Sequence, residues 1–149
     1  MDISTKGRYG LRALIDMAVY ASGDPVTLQS IADRQGLSVK YLEQVFSMLR
    51  KAELVRSIKG AQGGYVLASP AESITAGAAL RALEGELSVS PEQASGGAKS
   101  AESMRDTLQE LLWDKLNASV ALVMDHVSIA ELADRYRAKV AQTATMYYI

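Results

Sequence analysis

At 149 residues, with 48% apolar and 22% charged side chains and a formal net charge of −1, the chain has the makings of one compact domain, or of one domain with an appendage. No run approaches the roughly 18 uncharged apolar residues of a spanning helix, and the opening MDISTKGRYG lacks the apolar stretch of a signal peptide, so a cytoplasmic location is expected. Cysteine is absent, which excludes disulfides, a cysteine nucleophile and any thiolate-bound zinc or iron–sulfur centre in this chain as written.

Residues 5 to 21 read as the first helix. Leu11, Leu14, Ile15, Ala18 and Val19 form one apolar stripe, which leaves Arg8, Arg12 and Asp16 on other faces. Gly23-Asp24-Pro25 ends it. Thr27 is placed to cap a helix over 28–35, and Ser38 to cap another over about 39–52. Ile31 and Ala32 lie on the inner face of the first of these, and Leu42, Val45, Phe46 and Leu49 on that of the second. Between them Gly36 takes a left-handed turn that would cost a residue with a Cβ roughly 1 kcal/mol or more. Ala32 is small where the two axes cross. This pattern is a helix-turn-helix.

A wing is predicted next, with strands near 55–59 and 64–68 carrying Ile58, Tyr65, Val66 and Leu67. The tip, Lys59-Gly60-Ala61-Gln62-Gly63-Gly64, has three glycines, favouring positive φ angles. It is slim enough for a minor groove, and Lys59 is charged to be held there. Ser69-Pro70 breaks the chain, and Thr75 caps a helix to about Leu83. From Glu84-Gly85 runs a polar loop, ELSVSPEQASGGAKSA, with little reason to be ordered on its own.

From about Ala101, Met104, Leu108, Leu111, Leu112, Leu116, Val120, Val123 and Met124 recur at spacings of three and four. Some 24 residues at 1.5 Å each make a rod of about 36 Å, too long for the preceding unit to bury. Two copies can bury each other's stripe, so a dimerisation helix is expected. Ser128-x-x-Glu131 is a capping box that starts a last helix to about Arg137. The closing Met146-Tyr147-Tyr148-Ile149 is expected to dock on the dimer. The fold class is mainly α with a small β-wing. Residues 1–84 form the winged helix-turn-helix unit, 85–100 a flexible loop, and 101–149 the dimerisation and C-terminal helices.

On the outward face of the second helix of the motif stand Ser38, Lys40, Tyr41, Glu43, Gln44 and Ser47. Gln44 can bond adenine through two hydrogen bonds, and Glu43 can accept from a cytosine amine or else pair with Lys40. Ser38 and Tyr41 suit phosphate near a helix N-terminus. Arg50, Lys51, Arg56 and Lys59 are expected as sequence-independent contacts, joined by Lys6, Arg8 and Tyr9 from the first helix. Arg50 and Lys51 would equally stabilise a helix C-terminus. Residues 1–67 carry nine Lys/Arg against six Asp/Glu, and residues 68–149 seven against eleven, so the basic half is the half with the motif.

An enzyme is not expected. Gly60-x-x-Gly63-Gly64 lacks the Lys-Ser/Thr of a phosphate cradle, and the single histidine, His126, is far from any serine elbow. One imidazole cannot hold a metal cluster, and a surface position at a helix end is the expectation for it. A winged helix that docks a protein is the alternative of another class.

These residues resemble the Rrf-two family of bacterial winged helix-turn-helix transcription regulators, of the IscR and CymR type. The matching segments are Ser4-Thr5-Lys6-Gly7-Arg8-Tyr9-Gly10, Ser38-Val39-Lys40-Tyr41-Leu42-Glu43-Gln44, Leu49-Arg50-Lys51-Ala52, the wing tip through Tyr65, Ile74-Thr75-Ala76-Gly77 and the closing Met146-Tyr147-Tyr148-Ile149. The resemblance implies a homodimer on a near-palindromic double-stranded DNA operator, with repression as the usual output. Iron–sulfur members place three cysteines in the loop after Leu83, where this chain has Ala94, Ala98, Ala101 and Ser103. Two expectations follow. The genes expected under its control are those of iron–sulfur cluster biogenesis or of sulfur and cysteine metabolism: the chain is either a cluster-free member, which controls sulfur and cysteine metabolism and answers to a partner enzyme, or an IscR-like iron–sulfur sensor in a cluster-free form whose ligand cysteines are replaced by alanine. A 2Fe-2S cluster would belong only to a cysteine-containing parent.

Overall fold

The computed structural model describes residues 1–89 and 96–147. Three helices lead: α1 (Thr5–Tyr20), α2 (Leu28–Gln35) and α3 (Val39–Lys51). Strands β1 (Val55–Ile58) and β2 (Gly64–Leu67) pair antiparallel, with Val55 opposite Leu67 and Ile58 opposite Gly64. A 3-10 turn (Ala71–Ser73) precedes α4 (Ala76–Glu84). Then come α5 (Lys99–Leu108), a π-helical segment (Gln109–Trp113), α6 (Asp114–His126) and α7 (Ile129–Tyr147).

The expected start signals operate as side-chain caps. Thr27 Oγ1 accepts from the Ser30 amide at 3.1 Å, Ser38 Oγ from Tyr41 at 3.1 Å, and Thr75 Oγ1 from Ala78 at 3.0 Å. Ser128 Oγ accepts from the Glu131 amide at 3.0 Å, which is the forward half of the expected capping box. Gly36 ends α2 at φ +67°, so the helix-turn-helix corner has its left-handed residue where glycine permits it.

The core gathers Leu14 and Met17 of α1, Ile31 of α2, and Leu42, Val45, Phe46 and Leu49 of α3. Val55, Ile74, Leu83 and Ile129 complete it. Burying each such side chain stabilises the fold by about 1.5–3 kcal/mol. Thus α2 and α3 are seated on α1, and the polar face of α3 that carries Lys40, Glu43 and Gln44 is left to solvent. Tyr65 of β2 packs edge-on against Phe46 at 4.8 Å and exchanges backbone bonds with Val26, which roots the wing beside α2.

Several expectations need correction. The fully buried positions of α1 are Gly7, Gly10, Ala13, Leu14, Asp16 and Met17, a face rotated from the expected stripe. Leu11, Ile15, Ala18 and Val19 are half-buried. The reason is that α1 is the central helix, touched by α2, α3, α4, α7 and β2, so one stripe does not describe it. In the wing only Gly60 has positive φ (+114°). Gly64 is needed for close approach instead: a Cβ there would stand 2.6 Å from the Val26 carbonyl oxygen.

The long helix starts at Lys99, two residues before the expected Ala101, and a π segment interrupts it. α7 runs to Tyr147, ten residues past the expected Arg137, because RAKVAQTATMY is made largely of good helix formers. Met146 and Tyr147 are exposed in the protomer, while Tyr148 and Ile149 lie outside the described residues. In the loop after α4, the Val89 amide donates to Asn117 Oδ1 at 2.6 Å, and Asn117 Nδ2 donates to Ser88 Oγ. Ala94 lies outside the described residues. Among those described, no helix is long and apolar enough to cross a membrane.

Candidate nucleic-acid interface

Lys40, Glu43 and Gln44 are exposed on α3 and, with half-buried Ser47 and Met48, line one shallow depression. Ser38 is exposed at the helix start, where its hydroxyl is already the cap. Among the described residues no ion pair joins Glu43 to Lys40, so the carboxylate faces outward uncommitted. A second depression lies between the end of α3 and the wing, lined by Arg50, Arg56 and Lys59 together with Glu53 and Ser57. The structure therefore brings together three of the four cations expected at the end of α3 and in the wing. Lys51 is exposed beside them on α3, outside that lining.

Tyr9 and Tyr41 do something the sequence did not suggest. Their rings meet edge-on at 5.8 Å, and the Tyr41 hydroxyl lies 3.2 Å from Thr5 Oγ1, to which it donates. The Arg12 guanidinium lies 5.3 Å from the Tyr9 ring centre and donates to the Gln35 carbonyl at 2.7 Å. A phosphate oxygen only accepts, so Tyr41 has no free donor for it in this arrangement. Both tyrosines hold α1 against the start of α3.

Lys6 and Arg8 are exposed on the first turns of α1. Two of the amides at the start of this helix are occupied: Glu84, at the end of α4, accepts from the Ser4 amide (2.9 Å), the Ser4 hydroxyl (2.6 Å) and the Gly7 amide (2.9 Å). The Ser4 hydroxyl, then the two amides and Lys6, hold the Glu84 carboxyl below its ordinary value of 4.5. A depressed folded-state value means the stabilisation is complete above that value and is lost as pH falls through the lower one. The urea-midpoint gap between wild type and Glu84→Gln should therefore close as pH drops below 4.5, while a pH-independent gap would show that the charge contributes nothing.

Two ion pairs join residues distant in sequence, which the residue pattern did not indicate. Asp16, whose side chain is wholly buried, accepts from Arg34 at 2.7 and 2.9 Å and from Gln35 Nε2 at 2.9 Å. Arg34 also lies 4.5 Å from the centre of the Tyr20 ring. This network locks the end of α2 onto α1. An acidic residue amid the apolar run of α1 was the available signal. Arg81 of α4 and Asp125 of α6 form a bidentate pair at 2.6 and 3.0 Å. A Cβ on Gly77 would overlap Asp125 Oδ1, so glycine there admits the pair that ties the winged unit to the long helix.

Along that helix Met104, Leu108, Leu111, Leu112, Leu116 and Val123 are exposed, joined by Leu122, which the spacing had not flagged. Val120 and Met124 are half-buried. No residue of α5, the π segment or α6 is buried.

The family model for Rrf2, described as an iron-dependent transcriptional regulator, matches residues 3–135. The HTH-type transcriptional regulator CymR of Bacillus subtilis is 42% identical over the full length of both chains. The HTH-type transcriptional regulator IscR of Erwinia tasmaniensis is 36% identical, covering 90% of this chain and 79% of its own. The solved structure of CymR, the global cysteine regulator of B. subtilis, superposes with a TM-score of 0.76 at 40% identity. It covers 91% of this chain and 98% of that one.

The residues present do not fit the iron of that family description. The chain has no cysteine, and no group of three or more His, Cys, Asp or Glu among the described residues could hold a metal. His126 lies at the exposed end of α6 with its Nδ1 2.8 Å from the Leu122 carbonyl oxygen, so one ring nitrogen is engaged.

Proposed function

The chain belongs to the Rrf2 family of transcriptional regulators, a DNA-binding regulator and not an enzyme, and on that premise we propose that it works as a homodimer repressing genes of sulfur or cysteine metabolism from a near-palindromic operator. The polar, solvent-facing set on α3 beside the cationic depression at the wing carries this proposal. Lys40, Glu43, Gln44 and Ser47 face base edges. Ser38, Arg50, Lys51, Arg56 and Lys59 meet phosphates, with Lys6 and Arg8 extending the contact, and Tyr9 and Tyr41 hold α1 and α3 in register. The paired long helices set the spacing of the two reading heads. The wing, rooted beside α2, offers Lys59 to the minor groove. Similarity over the full length to CymR, the global cysteine regulator of B. subtilis, supports genes of cysteine metabolism. With no ligand set for a cluster, the signal comes from a metabolic enzyme acting as co-regulator.

Selection of bound duplexes from a random pool, followed by salt titration, tests this. Affinity for the selected duplex should fall by about 10³-fold or more between roughly 50 and 200 mM salt. Salt-insensitive binding, or equal affinity for every duplex, would favour a protein-docking module. Gln44→Ala is expected to cost about 1–3 kcal/mol at the preferred adenine and to relax selectivity there. Lys59→Ala should weaken all duplexes alike and lower the salt slope by about one. Equal losses on specific and random duplexes for both variants would refute the division of roles.

A further inference from the structure

We propose that Met48 reads the C5-methyl group of a thymine in the major groove, as the one apolar element of the base-reading surface; this rests on the DNA-reading role of α3. The depression on α3 is lined by Lys40, Glu43, Gln44, Ser47 and Met48, four polar side chains and one apolar one. A major-groove edge presents hydrogen-bond donors and acceptors and a single apolar group, the thymine methyl. The unmatched chemistry on the two surfaces is therefore the same.

The setting of Met48 suits this role. It is half-buried and packs against the core, so part of the side chain is immobilised before any ligand arrives, while it still lines the reading surface. An unbranched thioether adapts its shape to a small apolar partner. Four residues beyond Gln44, Met48 lies on the same side of α3, about 6 Å along its axis. If Gln44 bonds an adenine, the methyl that Met48 serves belongs to a neighbouring A·T pair of the same half-site.

The probe is the duplex selected by the wild-type protein, with each thymine in turn replaced by deoxyuridine. That change removes the methyl and leaves O4 and the base pairing intact. At one thymine per half-site, wild type should lose about fourfold in affinity, the worth of burying one methyl group. Met48→Ala and Met48→Gln should bind the thymine and uracil duplexes equally. Met48→Leu, which remains apolar, should keep most of the difference, and Gln44→Ala should keep it too. Indifference of wild type to every replacement, or the same loss in wild type and Met48→Ala, overturns the assignment. Wild type that selects no duplex at all removes the DNA-reading role of α3 and this inference with it.

Discussion

Replacing Leu112 and Leu116 by glutamate is expected to leave a folded monomer whose affinity for the selected operator is lower by about 10²–10⁴-fold, the range lost when two linked binding events become one. Leu112 is 41% exposed and Leu116 39%, and no residue of the long helix is buried in the protomer. Leu112 lies in the π segment and Leu116 follows it on α6, so charges placed there cost the protomer little desolvation. In a dimer the same positions would be sealed, and two like charges facing their copies would have no partner. Sedimentation at micromolar concentration should show wild type as a dimer and the double variant as a monomer with unchanged helical circular dichroism. A dimeric double variant, or a monomeric wild type with full operator affinity, would contradict the proposal. The π segment turns the helix face by an extra residue, and leucines at spacings of three and four straddle the break.

Arg34→Ala should destabilise the fold by about 3 kcal/mol, although the side chain removed is itself partly exposed. It strands the buried Asp16 carboxylate with only the Gln35 amide as a donor. Breaking a buried pair costs about 3–5 kcal/mol, and the lower end applies because the Arg34 side chain is itself 32% exposed. Replacing both partners, as Asp16→Leu with Arg34→Met, should recover most of the loss, since no charge is then left buried. Urea denaturation reads both. The single variant should lose more than about 1 M in midpoint, and a double variant no better than the single one would mean that the pair acts through something other than burial. Operator binding should fall with the single variant, because the network fixes α2 on α1 and α2 seats α3.

Much of the DNA-reading unit was legible from residues because its signals are short-range. The hydroxyl caps at Thr27, Ser38 and Thr75 each bond an amide three residues on, and Gly36 takes its left-handed φ without reference to anything distant. The inner faces of α2 and α3 follow from a period of 3.6 residues. For α1 that logic fails, because a helix surrounded by others has no single buried stripe. Gly7, Gly10 and Ala13 are buried where small size, not hydrophobicity, is the requirement. The last helix runs past the expected Arg137 because neither glycine nor proline follows to stop it before Tyr147.

By itself, the order of residues determined the helix-turn-helix, the glycine-tipped wing, the cysteine-free composition and the apolar stripe of the long helix. Each of these is set by backbone torsion preference, side-chain period or side-chain chemistry acting over a few positions. Only tertiary structure decided that Arg34 would meet Asp16, that Asp125 would meet Arg81 and that Glu84 would close the start of α1, across 18, 44 and 80 residues of chain. Such partners are chosen by packing: the closure of several elements decides which opposite charge or amide stands within reach, and where that closure carries a charge inside, as at Asp16, a partner is required.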